Sequence, residues 1–190
     1  MTGFDWNSWR RAQRERLVAE RLSISADGRQ SITAVVTANL DSVLDLAAGT
    51  VVSFYWPFRG ELDLRPWITA LIGRGIRAAL PVVEVKQAPM SFRSWSPGAK
   101  MERGIWNIPV PASPEDLTPD VVIAPLVGFD AACYRLGYGG GYFDRTLAAL
   151  PARPMVVGIG YEESRLPAIH PQPHDIPMDV IITEAATARR

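Results

Sequence analysis

From Arg135 to Arg145 the chain reads Arg135-Leu136-Gly137-Tyr138-Gly139-Gly140-Gly141-Tyr142-Phe143-Asp144-Arg145, with four glycines in five positions. An apolar run, Val121 to Val127, precedes it, and an apolar-periodic run, Tyr142 to Leu150, follows from its end. That order predicts a strand, a glycine loop and a helix. Glycine is used where backbone takes positive φ or comes close to a ligand. A helix start after such a loop presents unpaired N–H groups and the positive dipole end, which suits phosphate. Arginines at both flanks add fork-shaped, charge-assisted donors. A glycine-rich turn with a plain helix cap would carry the same glycines. The arginines and Asp144 favour an anion site, for a nucleotide with a metal.

The segments around this loop follow an α/β grammar. Asn7 or Ser8 is placed to cap a first helix running to about Leu22, loaded with Arg10, Arg11, Arg14 and Arg16. Such a basic face is ordinarily solvated. Arg10 and Arg14 nevertheless share one side of the helix, where two guanidiniums repel unless an anion or acidic side chain sits between them. After a polar turn, Ser23 to Gly28, helical spacing of Ile32, Val36, Leu40 and Val43 predicts a core-packing helix from Gln30 to Leu46. Val51 to Trp56 reads as a buried strand. It runs into Pro57-Phe58-Arg59-Gly60-Glu61-Leu62-Asp63, where Asp63 suits a cap for a helix from Leu64 to Ile72 and Glu61 is the better functional candidate. Ile76 to Val85 returns as a strand, and short glycine links between helix and strand predict a parallel sheet.

Glu84 to Pro119 breaks that grammar and predicts a hairpin or long loop laid over the sheet. Its Trp95 and Trp106 either fill the surface of the core or wall an aromatic pocket. Beyond the glycine loop, Met155 to Gly160 and Val180 to Thr183 are the remaining strands. His170 and His174 have zinc spacing only on a helix, which Pro171 and Pro173 forbid. Asp175 and Asp179, with Asp144, are candidate oxygen ligands for Mg²⁺. Walker and dinucleotide motifs fail, since Tyr142 occupies the place of the third glycine in G-x-G-x-x-G. Cys133, the only cysteine, cannot form an intrachain disulfide and reads as a bystander thiol in a reducing compartment.

Twenty basic and twenty acidic residues cancel, so no global charge draws the chain to nucleic acid or an anionic membrane. No apolar run approaches the ~18 residues of a membrane span, and the arginine-rich start lacks a signal-peptide core. The expectation is a cytoplasmic protein, 190 residues in one three-layer α/β/α domain with a mostly parallel sheet and an N-terminal basic helix.

Pro125-Leu126-Val127-Gly128-Phe129-Asp130, followed by Tyr134-Arg135 and the glycine stretch to Asp144-Arg145, resembles the signature of the 5-formyltetrahydrofolate cyclo-ligases, also called methenyltetrahydrofolate synthetases. The basic first helix, Gly60-Glu61-Leu62-Asp63, Met90-Ser91-Phe92, Trp106-Asn107-Ile108-Pro109 and Pro173-His174-Asp175 fall in the family's order. The resemblance implies ATP- and Mg²⁺-dependent ring closure of 5-formyltetrahydrofolate, with or without a polyglutamate tail, to 5,10-methenyltetrahydrofolate. It implies ATP phosphates at Arg10, Arg14, Arg135, Gly137, Tyr138, Gly139, Gly140, Gly141 and Tyr142, and Mg²⁺ at Asp144 and Asp175. Glu61, Trp106 and Tyr142 would meet the folate, and Arg145 with Tyr142 would act at the reacting groups. Arg10 in place of a usual lysine, Phe143 in place of a common tyrosine, the segment ending in Cys133 and the bulky Arg59 depart from the family pattern. A non-catalytic folate- or nucleotide-binding relative on the same scaffold is the alternative reading.

Overall fold

A computed structural model describes residues 5–190. Helix α1 (Trp6–Ser23) is capped by Asp5, two residues before Asn7, because Asp5 accepts from the amides of Asn7 and Ser8. Helix α2 (Ala26–Val43) also starts early. Ser25 accepts from the Gly28 amide, so the glycine read as a turn residue lies inside the first helical turn. Strand β1 (Val51–Ser53) leads to α3 (Arg65–Gly73), where Pro66 suits the first turn and Asp63 accepts from the Arg65 amide at 3.1 Å. Strand β2 (Arg77–Val82) follows.

The irregular stretch resolves into β3 (Ser91–Trp95), antiparallel to β2, and a hairpin of β4 (Met101–Arg103) and β5 (Pro109–Pro111). A 3₁₀ turn, Ile105–Asn107, makes the hairpin tip. Strand β6 (Val121–Pro125) does not pass directly into the glycine loop as expected. A small hairpin of β7 (Gly128–Phe129) and β8 (Arg135–Leu136) intervenes, and α4 (Tyr142–Ala149) begins beyond it. Strands β9 (Met155–Ile159) and β10 (Val180–Ile182) are joined by a further edge strand, β11 (Thr187–Arg189), which the sequence reading did not include.

The main sheet runs β11-β10-β9-β6-β1-β2-β3, parallel from β10 through β2 and antiparallel at both edges. Alternation along β6 separates its two faces. Val121 and Ile123 pack with Val36, Leu40, Ile68 and Leu71 of α2 and α3, while Val122 and Ala124 pack with Leu147 of α4. These are the three expected layers. The chain moves from β1 outward to β2, then returns to place β6 on the other side of β1. Such a reversal opens a crevice at the carboxyl ends of the strands, where ligands bind in open α/β sheets.

Helix α1 turns an unusual face inward. Arg10, Arg14, Leu17 and Arg21 follow i, i+4, i+7, i+11 spacing and share one side. Arg10, Leu17 and Arg21 are buried, whereas Arg11 and Arg16 are exposed. The solvated basic face expected of this helix is therefore only half of it. Leu17 anchors the helix among Val127, Leu136, Leu166 and Ile169.

Ile123 is fully buried in the central strand. Ile123→Ala should lower unfolding free energy by about 2–5 kcal/mol, measured as a lower urea midpoint with unchanged slope.

Candidate active site

At the carboxyl ends of β1, β2 and β6 lies a cavity of about 650 Å³. Tyr55, Trp56, Pro81, Val83 and Pro125 form its floor, at or just beyond the strand ends. Arg10, Arg14, Glu61, Trp106, Arg135, Gly137 to Tyr142, Asp144 and Asp175 all line it. Every residue expected at the site reaches this one cavity except Arg145 and Asp179.

Of the arginine pair of α1, Arg10 meets an acidic side chain and Arg14 a backbone carbonyl. Arg10 Nη2 donates to Asp175 Oδ2 at 2.8 Å and to the His170 carbonyl at 2.6 Å. Arg14 Nε donates to the Gly137 carbonyl at 2.7 Å, which fastens the glycine loop to α1. Burial and the nearby Arg10 charge push the Arg14 guanidinium down, and Asp175 opposes them.

Arg135 is buried and donates to Asp144 Oδ2 at 3.0 Å, with its guanidinium over the Phe143 ring. Phe143 thus serves as an apolar platform, which needs no hydroxyl. A Cβ on Gly137 would come within 2.6 Å of Arg135 Nη1, so only glycine leaves that guanidinium its place. Gly141 caps α4 in the left-handed region, φ 64°, with no side chain bonded to the first-turn amides. The helix start thus keeps the open N–H groups expected of an anion site.

The two carboxylates expected to hold a metal are neighbours. Asp144 Oδ1 accepts from the amide of Ile176, the residue after Asp175, at 3.1 Å. Asp175 Oδ1 lies 3.7 Å from His174 Nε2. Among the described residues no group of three His, Cys, Asp or Glu side chains is arranged to hold a metal. A pair of carboxylates still fits Mg²⁺, which keeps several waters and takes the rest of its oxygens from phosphate. Asp179 is elsewhere: it accepts from the Val156 amide at the start of β9 and pairs with Arg153.

Glu61 is buried and held on both oxygens. Phe58 N–H donates to Oε2 at 2.8 Å and the Tyr138 hydroxyl to Oε1 at 2.9 Å. Burial pushes its pKa up to about 7, against the pull of Arg21 and of these two hydrogen bonds. Tyr138, expected with the phosphates, therefore belongs to the Glu61 cluster through its side chain. Arg21, which sequence reasoning did not single out, donates to the Tyr138 hydroxyl, the Arg59 carbonyl and the Leu126 carbonyl. Its spacing on the Arg10–Arg14 face was the available signal.

Trp95 fills the core against Phe54, with ring centroids 5.1 Å apart. Trp106 instead stands exposed at the cavity lip, edge-on to Tyr142 at 5.4 Å. Its φ of 55° is uncommon for a bulky residue. Arg145 does not join them. Its Nε donates to the Gln87 carbonyl at 2.8 Å and its Nη groups to the Gly140 carbonyl, so it braces the loop from an adjoining groove.

Two other motif residues are structural. Asp130 accepts from the amides of Ala132, Tyr134 and Ile169, which folds the β7–β8 turn and pins the chain before His170. Cys133 is fully buried, and burial pushes its thiol up.

The chain is 32% identical to the 5-formyltetrahydrofolate cyclo-ligase of Escherichia coli K12 over 139 residues, 70% of this chain and 76% of that one. It is 29% identical to the 5-formyltetrahydrofolate cyclo-ligase of Mycolicibacterium smegmatis over 144 residues, 72% and 74% of the two chains. The solution structure of Aquifex aeolicus 5,10-methenyltetrahydrofolate synthetase matches with a TM-score of 0.80 at 29% identity, covering 95% of this chain and 92% of that one. The Mycoplasma pneumoniae 5,10-methenyltetrahydrofolate synthetase shares the fold, with a TM-score of 0.75 at 23% identity over 95% and 99% of the chains. With the model of the 5-formyltetrahydrofolate cyclo-ligase family matching residues 6–184, on a cavity that gathers the motif residues into one place, this chain is an enzyme of that family.

Proposed function

We propose that the chain works as one catalytic domain that closes 5-formyltetrahydrofolate to 5,10-methenyltetrahydrofolate, consuming ATP with Mg²⁺ and releasing ADP and phosphate. One observation carries the reading. A single cavity holds a buried carboxylate, Glu61, and a glycine loop flanked by guanidiniums ahead of an uncapped helix start. The first suits the aminopyrimidine edge of a pterin, whose two N–H donors match the remaining lone pairs of one carboxylate. The second suits a triphosphate.

The chemistry asks for positioning more than for covalent help. The formyl oxygen takes the terminal phosphoryl group of ATP and ADP departs. N10 then bonds to the formyl carbon and loses its proton, and the carbon–oxygen bond breaks with phosphate as the leaving group. Arg10, Arg14, Arg135 and the amides of residues 137–141 would neutralise and orient the phosphates. Asp144 and Asp175 would hold Mg²⁺, which supplies charge neutralisation at the phosphate oxygens. Trp106 and Tyr142 would close over the reacting region and exclude water. The single, buried thiol supports a reducing, cytoplasmic setting.

Purified protein should show growth of the near-ultraviolet absorbance of the methenyl product from 5-formyltetrahydrofolate, dependent on ATP and abolished by EDTA. Absence of turnover at high enzyme concentration with Mg·ATP overturns the proposal and leaves the non-catalytic binder. Arg14→Ala should raise the KM for ATP roughly tenfold, the worth of one charge-assisted hydrogen bond, and leave the folate KM unchanged. A loss confined to folate affinity would move α1 to the other substrate.

Glu61 must be ionised to accept two donors, so protonation competes with folate binding. Below the Glu61 value of about 7, the KM for 5-formyltetrahydrofolate should rise about tenfold per pH unit. Glu61→Gln should raise that KM by roughly ten- to a hundredfold and flatten the profile. A profile that keeps its inflection in the variant would assign the titration to another group.

A further inference from the structure

Glu61 is held by more than its own loop. A tyrosine hydroxyl carries one proton, and a guanidinium can only donate. Arg21 Nη2 faces the Tyr138 hydroxyl, so that oxygen accepts there and its single proton is left for Glu61 Oε1. On the other carboxylate oxygen the Phe58 amide donates. Both oxygens are thereby committed as acceptors, the arrangement of an ionised carboxylate. Arg21 cannot readily turn away, because it is 6% exposed and its other nitrogens are bonded to the carbonyls of Arg59 and Leu126.

The remaining groups around the carboxylate do not replace this relay. Tyr55, beyond β1, and Tyr161, beyond β9, face it electrostatically, but burial pushes both hydroxyls up and they stay neutral. Tyr161 spends its proton on the Gly60 carbonyl at 2.7 Å. Arg59, in the same loop as Glu61, stacks on the Phe58 ring with its guanidinium 5.1 Å from the centroid. The cation whose charge acts on Glu61 is Arg21.

We propose that Arg21, acting through the Tyr138 hydroxyl, is a positioning residue for the ligand-binding carboxylate: the relay orients the one tyrosine proton and holds Glu61 ready to accept from a two-donor heterocycle edge. The proposal rests on the reading of Glu61 as the folate-binding carboxylate. It adds a link between the two halves of the cavity. Tyr138 lies between Gly137, whose carbonyl takes Arg14, and Gly139, so the loop meant for phosphate also sets the group meant for the pterin.

The test begins in the ligand-free protein. The carboxyl resonance of Glu61 is followed against pH by ¹³C NMR, assigned by its loss in Glu61→Gln. Tyr138→Phe keeps the ring and deletes the hydroxyl. Its Glu61 midpoint should rise by roughly one pH unit or more, the worth of one hydrogen bond to a charged group. The inflection in the folate KM should move with it, while the ATP KM stays put. Arg21→Lys keeps the charge but loses the fork and should move both in the same direction. Should that variant fail to fold, Tyr138→Phe alone decides.

An unmoved or lowered midpoint in Tyr138→Phe overturns the relay. So does a shift of the KM profile that persists when Glu61→Gln is added to Tyr138→Phe. A raised midpoint in a protein that binds no reduced folate supports the relay and refutes the substrate reading, which separates the two failures.

Discussion

Three arginines on one side of α1 fasten the loops that make the cavity, and the rest of the site depends on them. Arg10 ends on Asp175 and the His170 carbonyl, Arg14 on the Gly137 carbonyl, and Arg21 on the carbonyls of Arg59 and Leu126 and on Tyr138. These partners belong to the segment after β9, to the glycine loop, to the loop after β1 and to the end of β6. The sheet alone would leave all four as independent surface loops. Burying a guanidinium is costly unless its donors are met. Each partner loop is therefore held in the geometry that satisfies them, and removing one partner strands a charge.

The satisfaction is deliberately incomplete in one respect. Among the described residues Arg10 Nε and Arg135 Nε are buried without a partner, and both residues line the cavity. Native proteins rarely leave such groups unpaired. Two unmet donor nitrogens on cavity-lining arginines accord with the proposed anionic ligand. Asp144 and Asp175 each pair with an arginine, so two of the cavity's guanidiniums are met by carboxylates.

The parts legible in the sequence were those with a period or a punctuating residue. Helical spacing in α2 and β-branched runs in β1, β6 and β9 marked the layers, and Asp63 marked the start of α3. Strands of two residues carry no period, so the β7–β8 hairpin was invisible. It exists because Asp130 collects two amides of its own turn, Ala132 and Tyr134, and a third, Ile169, from a distant segment. Arg21 was passed over for a related reason: a charged helical residue reads as solvent-facing until tertiary carbonyls are there to receive it. Arg145 misled in the opposite direction. Neighbouring residues on a helix point about 100° apart, so with Asp144 turned toward Arg135, Arg145 points to the outer side of the loop. Tyr138 could not be assigned from its glycine neighbours, since nothing local tells which way a side chain leaves a loop.

On the proposed role of Glu61, function sets a limit on stability. Its ordinary value is 4.5 and its folded value about 7, so between those limits the folded protein holds a proton that the unfolded chain has released. Stability is then greatest below the unfolded value and declines as pH rises through about 7, where the buried carboxylate must ionise. A salt bridge made directly to Arg21 would remove that cost. It would also consume the lone pairs that the proposed pterin edge would need. Placing the Tyr138 hydroxyl between the two charges lets Arg21 act on Glu61 while leaving the carboxylate open to the cavity. The fold accepts a less stable carboxylate in exchange for one that is still free to bind.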